Sequence, residues 1–384
     1  MPQRRGLRTW VEISRGAVRQ NVRTFRRLIG PKVKLWAVVK SNAYGHGLYA
    51  FSPLAEQAGV DGFCIDSVVE GLSLRRSGIV KPILTLGPTL PPRLVDAMND
   101  DIAVSVSTLE TLRAIAAMKH PPKFHLKVDT GMHRQGFSPN DLAKIVRIMS
   151  KSKNQSPKNL EGIFTHFASA KDLNYPTYTD MQFAEFERAV AMLRKAGFRD
   201  LIRHAAATGG TLIGKKYHLD AVRVGIGLYG LWPSKELEVQ LGSRIHLAPV
   251  LSWRTAVAEV KRLKPGDYVG YDLTERVTRP TIAAVLPVGY WHGFPRSLSS
   301  VGEVLIRGKR ARVLGRVSMA MVVVDATETR PRVGDAAILI GRSGRDELLA
   351  ADVASRAGTI HYEFVTRLNP LMERVITNNA NGGK

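Results

Sequence analysis

Leu35-Trp36-Ala37-Val38-Val39-Lys40-Ser41-Asn42-Ala43-Tyr44-Gly45-His46-Gly47 runs from an apolar segment into a polar, glycine-bearing turn. Leu35–Val39 has the length and composition of a strand buried on both faces. It delivers Lys40 at its carboxyl end, and Asn42, Gly45 and Gly47 then mark a turn-rich loop. A lysine held rigidly at a strand end and partly stripped of water suits imine chemistry, because its amine can be neutral at working pH. On position alone, a surface lysine closing a strand is the plainer reading, so the surrounding chain decides.

Downstream of Lys40, strand-like and helix-like runs alternate. The strand-like runs are Gly62–Ile65, Ile83–Leu86, Ile102–Val106, Phe124–Val128, Leu160–Thr165, Leu201–His204 and Ala221–Val224. Helical patterns fall between most of them, among them Val68–Arg76, Thr108–Met118, Leu142–Met149 and Met181–Ala196. With Leu35–Val39 the strands number eight. Alternation implies parallel pairing through crossover helices, and eight units predict an α/β fold of the closed (β/α)8 TIM type. Upstream, Trp10–Ile13 reads as a short strand and Ser14 as the cap of an amphipathic helix, Ala17–Leu28.

Around Lys235–Leu247 the texture changes. Runs at Val250–Val260, Thr281–Pro287, Glu303–Ile306, Ala311–Val313, Met319–Val324 and Ala336–Ile340 are separated by turns such as Lys264-Pro265-Gly266-Asp267. Short strands at regular intervals predict a mainly β C-terminal domain. The expected division is a barrel over 12–240 and a β domain over 241–384, which residues 1–11 join. Lys151–Lys158 reads as a polar insert and Asn378–Lys384 as a frayed tail.

Composition narrows the class. The 384 residues include 56 basic and 33 acidic side chains, a net charge of +23. The basic residues are scattered, as in Arg23-Thr24-Phe25-Arg26-Arg27-Leu28, with no zinc-finger spacing, RNA-binding aromatic signature or basic-zipper pattern. No specific nucleic-acid partner is therefore expected. No apolar run is long enough to cross a bilayer, and Met1–Thr9 leads into no apolar signal core, so a soluble protein without a membrane partner is expected. Cys64 is the only cysteine, which excludes an intrachain disulfide or a cysteine metal cluster and fits a reducing cytoplasm. No metal is expected.

In such a barrel the functional groups gather where the strands end. Lys40 follows the first strand, Lys127 to Arg134 lie at and after the end of the fifth, and His166 follows the sixth. Thr208 follows the seventh, and Arg223 with Gly225 closes the eighth. Gly225-Ile226-Gly227-Leu228-Tyr229-Gly230 fits the dinucleotide pattern G-x-G-x-x-G, but Leu231-Trp232-Pro233 follows at once and proline breaks the helix that pattern requires. Gly225 with Ile226 instead suits a phosphate-binding backbone turn.

Ordered words along both halves carry a resemblance. Val39 to Gly47, Lys127-Val128-Asp129-Thr130-Gly131-Met132-His133-Arg134, Thr165-His166-Phe167-Ala168, Arg223-Val224-Gly225 and Leu228-Tyr229-Gly230 occupy the first half. Gly266-Asp267-Tyr268-Val269-Gly270-Tyr271, Pro287-Val288-Gly289-Tyr290, Gly315-Arg316-Val317-Ser318-Met319 and Tyr362-Glu363 occupy the second. The chain resembles the alanine racemases, which bind pyridoxal 5'-phosphate (PLP) and usually work as head-to-tail homodimers.

The resemblance implies a cytoplasmic enzyme that interconverts L- and D-alanine and supplies D-alanine for cell-wall peptidoglycan. It makes Lys40 the cofactor anchor and one base, and Tyr271 of the partner subunit the other. Racemisation removes Hα from one face and returns a proton to the other, which two opposed bases do without rotating the substrate. A phenol with an ordinary pKa near 10 needs polar neighbours for this, and the resemblance supplies His166 and Arg223. It also sets Arg223 against the pyridine nitrogen. Tyr44, Thr208, Gly225 and Ile226 would hold the phosphate, Arg134 and Met319 would meet the substrate, and Tyr362 and Tyr290 would narrow the entrance. Lys127 matches a lysine often carbamylated in the family.

Four positions depart from the family pattern. Ala207 replaces the Asn of an Asn-Ser pair whose Ser is Thr208, and Ala320 replaces the Asp after Met319. Asp272 stands for the Gly after the catalytic Tyr, and Leu371 for an Arg. These leave open an amino-acid racemase of broader or different specificity on the same scaffold. A basic-amino-acid decarboxylase would lack the Tyr271 word, and a non-catalytic cofactor-binding or anion-binding protein is the rival from another class.

Overall fold

The computed structural model describes residues 6–151 and 156–378. Residues 152–155 of the Lys151–Lys158 insert and all but the first residue of the Asn378–Lys384 tail lie outside the described residues. The chain divides into two compact units, one of residues 18–41 and 52–247, the other of 1–17, 42–51 and 248–384.

The first unit is built on eight parallel strands: Lys34–Val38, Gly62–Ile65, Ile83–Thr85, Ile102–Val106, Phe124–Lys127, Leu160–Phe164, Ile202–His204 and Ala221–Val224. Each pairs with the next in chain order, and the last pairs back onto the first, with Trp36 opposite Arg223. A bridge between Ala207 and Arg223 brings the seventh and eighth strands together, so the barrel is nearly closed. Most strand residues are buried, as expected of strands covered on both faces. Helices at Val68–Arg76, Leu109–Ala117, Leu142–Lys151 and Thr177–Lys195 fall between strands where the apolar spacing predicts them.

The second unit is a β structure. Its main sheet has ten strands. Thr9–Ser14 sits inside it, antiparallel to Leu251–Ala256 and parallel to Glu373–Thr377. The run read as one strand, Val250–Val260, is two: Leu251–Ala256 pairs with Ala336–Ser343, whereas Glu259–Leu263 pairs with Thr281–Leu286. Ser14 does cap the following helix, Arg15–Ile29, with its Oγ accepting from Ala17 N–H at 3.1 Å. The compact units divide at 247/248, against an expected 240/241, and residues 12–17 and 42–51 group with the β unit. Strand pairing by Thr9–Ser14 places residues 12–17 with the β unit.

Candidate active site

Arg223 organises the barrel rim. It is 2% exposed, yet among the described residues its guanidinium meets only neutral acceptors. Nη1 donates to His204 O at 2.9 Å and His204 Nδ1 at 2.8 Å. Nη2 donates to Thr165 O at 2.7 Å and Ala205 O at 3.0 Å, and lies 3.3 Å from His166 Nδ1. Burial brings the Arg223 pKa down to about 10, still charged at neutral pH. A guanidinium has no acceptor, so each imidazole nitrogen facing it must accept. His166, half-buried, is held well below the ordinary histidine range by lost hydration and by the Arg223 charge, and stays neutral.

Lys127 ends the fifth strand and is 5% exposed. Its Nζ donates to Gln135 Oε1 at 2.7 Å, and Gln135 Nε2 donates to Ser107 Oγ at 3.2 Å. Burial lowers the Lys127 pKa to about 7; Arg223, Arg134 and Lys40 push the same way, and Asp129 opposes them. The loop between Lys127 and Gln135 is pinned by the Asp129 carboxylate. Its Oδ1 accepts from the N–H groups of Gly131, Met132 and His133 at 2.9–3.0 Å, and Oδ2 accepts from that of Arg134 at 3.1 Å. Burial opposes ionisation of Asp129, but these donors hold its carboxyl below the usual range. A cleft lined by Lys127, Asp129, Met132, Arg134, Gln135 and His166 opens here.

Lys40 is displaced from the strand end the sequence suggests. The strand stops at Val38, and Lys40 opens a single helical turn, Lys40–Tyr44. In that turn Ser41, Asn42, Ala43 and Tyr44 have φ of 54°, 55°, 52° and 51°. Left-handed backbone costs non-glycine residues roughly 1–2 kcal/mol each, so a run of four persists only if its surroundings fix it. They do so through hydrogen bonds. Ser41 N–H donates to Glu70 Oε1 at 2.7 Å, and Gly47 N–H to Asn42 O at 2.9 Å. Leu48 N–H donates to Asn42 Oδ1 at 2.8 Å, and Arg374 Nη2 to Gly45 O at 3.0 Å. Lys40 Nζ stands 3.9 Å from Asp66 Oδ1.

Thr208 starts the short helix Thr208–Ile213. Its Oγ1 accepts from Gly225 N–H at 3.1 Å and Gly227 N–H at 3.4 Å, so its own proton remains a donor. The barrel unit thus holds Lys40, Lys127, Arg134, His166, Thr208, Arg223, Gly225 and Ile226.

The β unit holds Tyr44, Tyr271, Tyr290, Met319 and Tyr362. Tyr44 and Tyr362 meet there with ring centroids 6.3 Å apart, and burial raises the Tyr362 phenol. Tyr271 opens the turn Tyr271–Leu273 and is 65% exposed; Tyr290 and Met319 are exposed on the same unit. The sole cysteine, Cys64, is buried in the third-residue position of its strand, and burial raises its thiol to about 12, which leaves it inert.

Two family models match consecutively: the N-terminal domain of alanine racemase over residues 13–233 and the C-terminal domain over 250–376. The chain belongs to the alanine racemase family. It is 39% identical over 371 residues to an alanine racemase of Symbiobacterium thermophilum, covering 95% of this chain and 96% of that one. With an alanine racemase of Leptospira interrogans it shares 36% over 375 residues, covering 96% and 95%. The fold superposes on the Bacillus anthracis alanine racemase solved with bound L-Ala-P at a TM-score of 0.90, with 33% identity and coverage of 98% and 96%. Against the enzyme of D-cycloserine-producing Streptomyces lavendulae the TM-score is 0.88, with 36% identity and coverage of 97% and 98%. Family membership makes the chain an isomerase.

The departures from the family pattern have local consequences. Asp272 has φ 63°, the region glycine favours, and its Oδ2 lies 3.4 Å from Arg316 Nε. Ala207, just before the helix Thr208–Ile213, offers no side-chain cap. Leu371 is exposed.

Sequence reading missed Gln135 as the partner of Lys127, and His125 and His204 beneath Arg223. One signal was present: His125 and Lys127 are two apart on a strand, hence on one face, inside an otherwise apolar run.

Proposed function

We propose that this chain is a PLP-dependent racemase that interconverts L- and D-alanine in the cytoplasm and supplies D-alanine for peptidoglycan. It works as a homodimer, with Lys40 and the partner subunit's Tyr271 as opposed bases. The observation that carries this reading is the cationic rim. Lys40, Arg134 and Arg223 all act electrostatically on Lys127, and Arg223 meets no carboxylate among the described residues. Such a rim favours a ligand rich in phosphate and carboxylate.

The residues fit the cofactor. Lys40 would be its covalent anchor; the Thr208 hydroxyl, the backbone at Gly225 and Ile226, and Tyr44 would hold its phosphate. Arg223 would meet its pyridine nitrogen, and Tyr362 lies beside Tyr44. When bound, the pyridine ring withdraws the electrons released when Cα–H breaks. Arg223, charged at neutral pH, would disfavour a proton on that nitrogen and so discourage transamination.

The Lys40 amine takes or returns the Cα proton on one face, and the phenol of the partner subunit's Tyr271 does so on the other. His166 accepts from Arg223 at Nδ1, so its neutral ring carries a proton on Nε2 and can donate it to that phenol oxygen. Arg134 steadies the substrate carboxylate, and Met319 is a second substrate contact. The Lys127 amine, neutral near pH 7, adds CO2 to give a carbamate, releases a proton, and becomes an anion among Arg134 and Arg223.

A second reading, broader amino-acid specificity, is favoured by Ala207 and Ala320, where the family usually has longer polar side chains. The test is solvent deuterium incorporation at Hα over a panel of amino acids, together with borohydride reduction and peptide mapping. Alanine should exchange fastest, with the reduced cofactor on Lys40. Absence of exchange with any amino acid, in protein that carries the cofactor, would reject the racemase.

A further inference from the structure

A buried polar column runs from Arg223 down through the barrel. Arg223 Nη1 meets His204 Nδ1 at 2.8 Å, and His204 Nε2 meets His125 Nδ1 at 2.8 Å. His125 Nε2 stands 4.0 Å from Glu161 Oε2. The four residues lie on the eighth, seventh, fifth and sixth strands. Trp36, on the first strand, packs its edge against both imidazoles, with centroids 5.6 and 4.8 Å away. The first and fifth strands are four places apart in the sheet order, so this contact passes through the barrel interior. Phe164 stacks on His204 at 4.8 Å and 6°. Gly162 is the floor of the column: a Cβ there would lie 2.3 Å from His125 Nδ1.

The chemistry gives the column a direction. Arg223 can only donate, so His204 Nδ1 accepts and its neutral ring carries the proton on Nε2. That N–H donates to His125 Nδ1, which places the second proton on His125 Nε2, facing the Glu161 carboxylate. Both imidazoles are buried and neutral: burial brings His125 down to about 3 and holds His204 well below the ordinary range, with Arg223 adding to both. Around Glu161, Lys123 lies 3.8 Å from Oε1 and is paired with Asp101 at 2.9 Å.

We infer that His125 is a positioning residue: it fixes the tautomer of His204, and through it the orientation of the Arg223 guanidinium, by a one-way chain of two hydrogen bonds, and the Glu161 carboxylate 4.0 Å beyond favours the proton on the far nitrogen of His125. Reversing either ring would set a donor against the guanidinium. The kinetic part of this inference rests on the proposed racemase activity, whereas the tautomer part does not.

The test is 15N NMR of the protein labelled at its histidine rings, as purified with its cofactor. Two buried rings should report proton-bearing Nε2 and bare Nδ1, unchanged from about pH 5 to about pH 9, where an exposed imidazole titrates. His125→Phe keeps the ring volume but removes the acceptor, and should release His204 into mixed tautomers. His125→Asn places its carbonyl where Nδ1 was and should restore the wild-type signal. Glu161→Gln should leave the His204 signal in place and alter that of His125. In protein that racemises, His125→Phe should lower kcat about tenfold, the scale on which outer supports act, with KM little changed and His125→Asn recovering most of the loss. A proton on Nδ1 of either ring in the wild type would overturn the inference, whether or not the protein racemises. So would an unchanged His204 signal, or an unchanged kcat, in His125→Phe. The wild-type spectrum alone decides the case if that variant fails to fold.

Discussion

Lys127 Nζ donates to Gln135 Oε1 across 2.7 Å, while three further cations, Arg223, Arg134 and Lys40, act on the same amine. Burial strips this ammonium of water and the three cations add to the cost of its charge, which is why losing the proton is favourable. The amine should therefore behave as a nucleophile at a pH where ordinary lysines are charged.

Incubation with 13C-bicarbonate should give a carbamate carbon resonance that grows as pH rises through about 7. Lys127→Arg should abolish it. The same group shapes the stability curve. Its folded pKa lies below the unfolded value of about 10.4, so the unfolded chain binds more protons between those two pH values and stability rises with pH there. Lys127→Met should flatten that rise in urea titrations; an equally steep slope in the variant would count against the assigned shift.

Lys40 belongs to the barrel unit and Tyr271 to the β unit, where its ring is exposed. If each site joins one subunit's lysine to the partner's tyrosine, inactive Lys40→Ala mixed with inactive Tyr271→Phe should regain part of the activity. Random subunit exchange yields hybrid dimers in which one site has both bases intact. No recovery after exchange proven by mass spectrometry would exclude a shared site.

Asp272 occupies left-handed backbone at φ 63° and ψ 7°, beside the proposed tyrosine base. Aspartate tolerates this region and β-branched residues do not. Asp272→Gly should retain stability and most activity despite losing the approach to Arg316. Asp272→Val should cost about 1–2 kcal/mol in thermal unfolding and lower kcat by displacing Tyr271. Equal behaviour of the two variants would show that backbone conformation here is unimportant.

Gly45 accepts from Arg374 and has φ 78°, and a Cβ on it would lie 1.7 Å from Val365 O. Gly45→Ala should destabilise by about 3 kcal/mol or more and weaken retention of the cofactor, because the turn it ends is the one Lys40 opens. Gly59 is a matched control with φ 99° and nothing within 4 Å of an added Cβ. Gly59→Ala should cost only about 1 kcal/mol. Differential scanning calorimetry and the visible absorbance of the bound cofactor read both effects.

By itself the sequence determined the barrel, the β domain and most rim residues. Apolar runs such as Gly62–Ile65 and Ile102–Val106 declare themselves because strands buried on both faces must be apolar throughout. Lys40, Lys127, His166, Thr208 and Arg223 were visible because strand ends are where such a barrel carries its polar groups. Only the tertiary structure decided what depends on distant partners. Val250–Val260 looks continuous, and only pairing with Ala336–Ser343 on one side and Thr281–Leu286 on the other divides it. The left-handed turn after Lys40 contradicts local preference, and hydrogen bonds to Glu70 and from Arg374 hold it there. The His204–His125 contact joins residues 79 apart in the chain. Local propensity acts over a few residues, whereas these features exist only once the barrel and sheet have closed and water has been removed from between them.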